Sequence, residues 1–337
     1  MKLVFELSKE HPCAPQHEII ACLQANNSAF TMVQQTPEYS IVDAELCFDA
    51  VQQLADRLAF TYCISRYITS CPPEPQHIKK HLKEHTQNYT GSIAVTYKKR
   101  TQQRDTQLLL QAAADTLVST QQVNLQHPDH EIRLLITNTN IVIGEVLHHI
   151  NRTHFEQRKV QHRPFFSPIS LHPKWARLLV NLSQASAGQT LLDPFCGTGG
   201  FLLEAGLLGI QVLGSDIQEK MIQGCAKTLQ HYHITPTKLL CSDIGALPEK
   251  LGQIDAIVTD FPYGRSTTTQ GESLDSLASR AFQSMKTLVK PQGRIVIGLH
   301  DPSLLETAKK FFDVELVLEQ PVHRSLTRWF AVLINKP

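Results

Sequence analysis

From residue 188 to the end of the chain, short apolar runs alternate with amphipathic stretches, and that alternation leaves little choice of fold. Residues 190–193, 211–216, 238–243, 254–260 and 294–298 read as strands. Residues 201–208, a stretch ending at Leu229, 276–288 and 302–311 read as the helices between them. Strands separated by helices need crossover connections, and these give a doubly wound α/β domain. Two last β runs, 314–319 and 329–334, read as a hairpin closing the sheet edge.

The first strand runs into Asp193-Pro-Phe-Cys196-Gly197-Thr198-Gly199-Gly200. Glycines in a strand-to-helix turn let the backbone approach a ligand closely. The dinucleotide fingerprint is not met, because position 202 is Leu, and there is no Walker lysine. Asp216 follows at the interval, about 20 residues, where an acid at a strand tip accepts from ribose hydroxyls. Asp243 ends the third strand, in reach of an adenine amine, and Asp193 faces the positive end of a methionine-like tail. Three carboxylates with no phosphate cradle fit a cationic nucleoside that lacks a pyrophosphate, namely S-adenosyl-L-methionine.

The fourth strand ends in Asp260-Phe261-Pro262-Tyr263-Gly264. Here a carboxylate, a backbone carbonyl, a rigid proline and an aromatic face fall within four residues, a set suited to gripping a planar NH2 group. Such an amine is a poor nucleophile, since its lone pair is delocalised into the ring. Asp260 and the carbonyl of Phe261 can accept from its two N–H groups and localise that pair. Tyr263 can stack on the base, a contact worth about 1–3 kcal/mol. Pro262 fixes its own φ, so the loop is set before the substrate arrives. The tetrad resembles the (Asn/Asp/Ser)-Pro-Pro-(Tyr/Phe) motif of amino-methyltransferases, with Phe261 in place of the first proline.

The first half reads as α+β. Residues 2–7 and 39–44 look like strands around a helix at 15–24, and helical spacing runs through 49–70 at Val51, Leu54, Ala55, Leu58 and Ala59. After Pro72, Pro73 and Pro75 come a helix carrying Ile78 and Leu82, a strand at 92–97, a helix at 107–117 and a strand pair at 132–136 and 141–147. A chain of 337 residues suggests about two domains, and 42% hydrophobic content supports full cores. A net charge of +1 means that any nucleic-acid surface is a local patch. Two basic clusters qualify: Lys79, Lys80, Lys83, Lys98, Lys99, Arg100 and Arg104, then Arg152, Arg158, Lys159, Arg163, Lys174 and Arg177. The 8 cysteines form no Cys-x-x-Cys pair and the histidine pairs lack companions at ligand spacing, so no metal is expected. With no signal-like start and no apolar run of about 18 residues, the expected location is cytoplasmic.

Three stretches carry a wider resemblance. They are Asp193-Pro-Phe-Cys-Gly-Thr-Gly, Asp260-Phe-Pro-Tyr-Gly-Arg-Ser, and Arg163-Pro-Phe-Phe-Ser-Pro with His172-Pro-Lys-Trp-Ala-Arg177. Together with His323-Arg-Ser-Leu-Thr-Arg328 they resemble THUMP-containing RNA guanine-N2 methyltransferases, above all the archaeal tRNA guanine-10 type. The resemblance implies a ferredoxin-like piece at 1–50, a THUMP domain at 51–150, a linker at 151–173 and a Rossmann-like methyltransferase domain at 174–337. It implies S-adenosyl-L-methionine held by Asp193, Pro194, Cys196, Gly197, Thr198, Gly199, Asp216, Ile217, Asp243 and Ile244, with Asp260, Phe261, Pro262 and Tyr263 as the base site. Lys79, Lys80, Lys83, Lys98, Lys99, Arg100, Arg152, Arg163 and Arg265 are then the RNA contacts. The implied partners are tRNA and, in some members, a small activator subunit, with a monomer expected. Position 6 of tRNA, ribosomal RNA and duplex DNA remain the competing targets.

Overall fold

The computed structural model describes residues 1–86, 89–102, 106–118, 122–166, 170–262, 272–323 and 326–336. The chain divides into two compact units: one of residues 1–16, 28–56 and 60–151, the other of 17–27, 57–59 and 152–337.

The first unit is built on an eight-stranded mixed sheet. Its strands are β1 (Lys2–Leu7), β2 (Phe30–Gln35), β3 (Tyr39–Ala44), β4 (Thr61–Cys71), β5 (Ser92–Lys99), β6 (Gln122–Val123), β7 (His130–Ile136) and β8 (Ile141–His149), in the order β2-β3-β1-β4-β8-β7-β5-β6. Helix α1 (Ala14–Ala25) starts in this unit and continues into the second, while α2 (Phe48–Arg57), α3 (Pro75–Thr86) and α4 (Gln107–Val118) complete the helices. Ile78 and Leu82 of α3 pack with Leu109, Ala113, Ile132, Ile141 and Ile143. The helical spacing expected over 49–70 stops at Arg57, and residues from Thr61 form β4 instead. That run is rich in β-branched and aromatic side chains and pairs with both β1 and β8. Residue 50 is therefore no sheet boundary: the strands of 1–50 and of 51–150 share one ladder.

In the second unit, α5 (Thr153–Gln157) and a short 3-10 turn (Val160–His162) lie in the stretch 151–173 expected to be a linker. Helix α6 (Pro173–Leu182) follows, with Pro at its first position and His172 Nδ1 accepting from the Lys174 N–H at 3.2 Å. Then come β9 (Thr190–Asp193), α7 (Gly200–Gly206), β10 (Gln211–Asp216), α8 (Glu219–His231) and β11 (Lys238–Cys241). After α9 (Leu247–Lys250) are β12 (Ile254–Asp260), α10 (Leu274–Leu288), β13 (Val289–Leu299), α11 (Leu304–Ala308), β14 (Phe312–His323) and β15 (Leu326–Asn335). The seven strands order as β11-β10-β9-β12-β13-β15-β14, parallel except for the closing β14–β15 hairpin and its pairing with β13.

Ala256, Ile257 and Val258 of β12 are all buried, as a strand covered on both faces demands. On one face Ile295, Ile297, Ala331 and Leu333 pack with Phe282 and Met285 of α10. On the other, Trp175 of α6 stacks on Phe330 at 5.5 Å. The strand order reverses between β9 and β12, and at such a switch point the carboxyl ends of the flanking strands open a crevice for ligands. The glycine turn leaves β9 and the Asp260 turn leaves β12, so both flank it. No helix among the described residues is long and apolar enough to cross a membrane.

Candidate active site

The glycine turn takes its shape from two left-handed residues, Gly197 at φ 48° and Gly199 at φ 81°. At Gly199 a side chain is doubly excluded, because a Cβ there would lie 2.7 Å from the Cys225 sulfur of α8. At Gly197 a Cβ would meet nothing within 4 Å, so the turn presents bare backbone to open space. Asp216, at the tip of β10, fixes the turn by accepting from the Gly197 N–H at 3.1 Å and from the Gln218 N–H at 2.9 Å.

Asp193 is almost fully buried, and one of its oxygens accepts from the Phe195 N–H at 3.1 Å and from the Thr259 hydroxyl at 2.6 Å. Burial pushes its carboxyl up to about 7; those two hydrogen bonds pull it down, and the negative charges of Asp216 and Asp260 push it further up. Burial also raises the Asp216 carboxyl, against the pull of the N–H groups that it accepts from. Asp216 and Asp260 thus both lie close enough to Asp193 for their charges to act on it. Such a crevice favours a cation, and a cationic nucleoside fits its donor set better than a phosphate does.

Asp260 closes β12 opposite Gly298 of β13, and the Phe261 N–H donates to the Gly298 carbonyl at 2.9 Å. A methyl group at Gly298 would collide with the Asp260 carboxylate, so this glycine makes room for the acid. The Phe261 ring is buried between Phe195, at 5.3 Å, and Phe282, at 5.5 Å. This accounts for the departure from Pro-Pro. A proline could neither make the N–H bond to Gly298 nor fill the space between those rings. Phe195 belongs to the glycine turn, so the Phe195–Phe261 contact and the Thr259–Asp193 bond both join the two motifs. Pro262 is half-buried. Tyr263, Gly264 and Arg265 lie outside the described residues.

The other candidate residues are divided between core and surface. Ile244 points into the core beside Leu192 and Leu247, leaving only its backbone for a ligand. Pro194, Cys196 and Thr198 are buried within the turn, whereas Ile217 is exposed. Asp243 stands two residues beyond β11, where its carboxylate pairs with Arg280 and accepts from the Gly245 N–H at 2.8 Å. Any adenine amine must share that acid with a guanidinium. Three members of the second basic cluster are turned inward: Arg158 and Arg177 both clasp the buried Glu204, at 2.8 and 3.0 Å, and Arg163 is only 6% exposed. Arg100 is turned inward, with its side chain 7% exposed and paired with Glu6. Lys98 lies 5.4 Å from the Tyr62 ring centre, and Arg152 is half-buried. Lys79, Lys80, Lys83 and Lys99 are exposed. Sequence reading missed Thr259 and Gly298, which look like ordinary strand residues, and Arg280, which gives no signal of its distant partner.

Residues 160–329 match the family described as RMKL-like, methyltransferase domain. A tRNA (guanine(10)-N2)-dimethyltransferase of Methanothermobacter thermautotrophicus is 33% identical over 338 residues, covering 99% of both chains. The protein of the same description from Pyrococcus abyssi is 37% identical over 215 residues, 63% of this chain and 64% of its own. Among solved structures, TrmN from Thermus thermophilus aligns with 99% of this chain and 100% of its own at a TM-score of 0.57 and 17% identity, a likeness of fold.

Proposed function

Because the chain belongs to the family of the archaeal tRNA (guanine(10)-N2)-dimethyltransferases, we propose that it methylates the exocyclic N2 amine of guanosine 10 in tRNA. The observation that carries this reading is the 2.6 Å bond from the Thr259 hydroxyl to Asp193. It ties the strand that bears the amine grip to the strand that bears the cofactor turn.

S-adenosyl-L-methionine, when bound, supplies an electrophilic methyl group. The chain's own residues do the rest. Asp193, Asp216 and the bare backbone of Gly197 hold the donor, with Asp243 beside them. Asp260 and the Phe261 carbonyl accept from the two N–H groups of the guanine amine and turn its lone pair out of conjugation. Asp260 also offsets the positive charge that develops on the nitrogen. Holding both reactants at adjacent strand tips supplies much of the rate through alignment. Once a methyl group has replaced one hydrogen, with the proton released to solvent and S-adenosylhomocysteine as the leaving group, a single N–H remains, so only one of the two acceptors stays engaged. The monomethyl product therefore accumulates before the dimethyl one.

Exposed Lys79, Lys80, Lys83 and Lys99 serve as phosphate contacts in the first unit, which we assign to tRNA binding. The reading places a monomeric enzyme in the cytoplasm, with or without a small activator subunit. Ribonuclease mapping by mass spectrometry of an unmodified tRNA transcript incubated with enzyme and donor tests it. The expected mass gain is one, then two, methyl groups on guanosine 10. A methyl group at position 6, on a ring carbon or on a ribose oxygen would refute the assignment.

A further inference from the structure

Arg163 is a buried cation with no anion of its own among the described residues. Its Nε donates to the Arg158 carbonyl at 2.9 Å, but Nη1 and Nη2 are buried and have no hydrogen-bond partner among the described residues. Glu204, the carboxylate whose charge reaches it, is already taken. Arg158 grips it through two nitrogens at 2.8 and 2.9 Å, and Arg177 through two more at 3.1 and 3.0 Å. Three guanidinium groups thus surround one carboxylate, which leaves a net positive charge in the protein interior. An unpaired buried charge costs several kcal/mol, so a fold that keeps one gains from it elsewhere.

The position of Arg163 indicates where. Its Nη1 lies 3.6 Å from the point that a Cβ on Gly200 would occupy, against the end of the glycine turn. Two of its chain neighbours lie along the same structure. The Phe165 ring sits against Gly224 of α8, and the Ser170 hydroxyl is 3.4 Å from the Thr198 hydroxyl. Resting on the cofactor reading above, we infer that Arg163 binds the α-carboxylate of the methionine end of S-adenosyl-L-methionine, with Nη1 and Nη2 as the donors. A guanidinium fork matches a carboxylate in geometry and charge. It also completes the electrostatic pattern of the crevice: acids for the cationic and hydroxyl-bearing parts of the donor, and one base for its single anionic group. A phosphate of the RNA backbone is the rival ligand, and burial of the side chain disfavours it.

The test is calorimetric binding of S-adenosylhomocysteine and of 5′-methylthioadenosine, which lacks the amino-acid tail, to the full-length wild type and to Arg163→Met. The wild type is expected to prefer the first ligand. In the variant the affinity for S-adenosylhomocysteine should fall about 10–100-fold, as loss of a charged hydrogen bond predicts, while that for 5′-methylthioadenosine stays level. Retained 5′-methylthioadenosine binding shows at once that the variant is folded. Arg163→Lys, which keeps the charge without the fork, should lose S-adenosylhomocysteine affinity by a smaller factor and decides the matter if the methionine variant does not fold. Equal weakening of both ligands, or an unchanged ratio with reduced tRNA affinity, overturns the inference. Failure of the wild type to bind either ligand would overturn the cofactor reading itself.

Discussion

Single residues set the chemistry of the crevice, and two of them make sharp predictions. Asp193 has a folded-state pKa raised to about 7. Between about pH 4 and 7 the folded protein therefore holds a proton that the unfolded chain has released. The stability from this group is full below that window, declines as pH rises through it and is gone above 7. Asp193→Asn should flatten that part of the curve of unfolding free energy against pH, and an unchanged slope would show that Asp193 is ionised throughout. Gly298→Ala should push the Asp260 carboxylate aside and cut the turnover rate about 100-fold, the usual cost of misplacing a reacting group by about 1 Å, with donor affinity unchanged. Loss of donor affinity instead would mean that Gly298 serves the fold and not the acid. The acids at the strand ends were legible in the sequence, because an Asp that ends an apolar run has few other reasons to be there. The roles of the arginines were not. Arg158, Arg163 and Arg177 read as a basic surface, and only the fold brings Glu204 among them.

At the scale of elements, legibility followed burial. β9, β10 and β12 are continuous apolar runs covered on both faces, and their bounds stand in the sequence as residues 190–193, 211–216 and 254–260. β2 is an edge strand of mostly exposed residues whose apolar alternation stops after Phe30 and Met32, too short a pattern to read. β4 follows α2 after only Leu58, Ala59 and Phe60, whose buried apolar side chains extend the helical pattern of α2, so its start was hidden. β13 begins at Val289, earlier than expected, with Gln292 in the left-handed region and a break in its pairing with β12. The elements around the crevice are joined by charge. Glu204 of α7 anchors both Arg158, beyond α5, and Arg177 of α6. Glu204→Gln should destabilise the protein by about 3–5 kcal/mol, because it leaves buried guanidinium groups without a counter-charge. Denaturant unfolding measures this, and a loss below about 1 kcal/mol would show that water reaches the cluster.

At the scale of the whole molecule, the two compact units are interleaved in sequence. Residues 17–27 and 57–59 belong to the second unit. Asn181 of α6 is wholly buried, donates to Glu18 at 2.9 Å and to the Arg57 carbonyl at 3.0 Å, and accepts from Arg57 Nε at 3.0 Å. These partners lie more than a hundred residues away in sequence, so no local pattern reveals them. A fragment starting at residue 152 strips them all, at about 1–3 kcal/mol for each buried polar group left unsatisfied. Its melting temperature should fall well below that of the same unit in the intact chain, and equal melting would show that the early segments are dispensable. What the whole fold achieves is to set one acid, Asp260, at the tip of the strand beside the glycine turn. The most direct test is the rate of labelled methyl incorporation into tRNA by Asp260→Ala at saturating S-adenosyl-L-methionine, with donor affinity measured on the same sample. Transfer should fall by at least about 100-fold, the low end for loss of a group that acts in the transition state, while donor affinity holds. Transfer at the wild-type rate, or a loss explained wholly by weaker donor binding, would contradict the account.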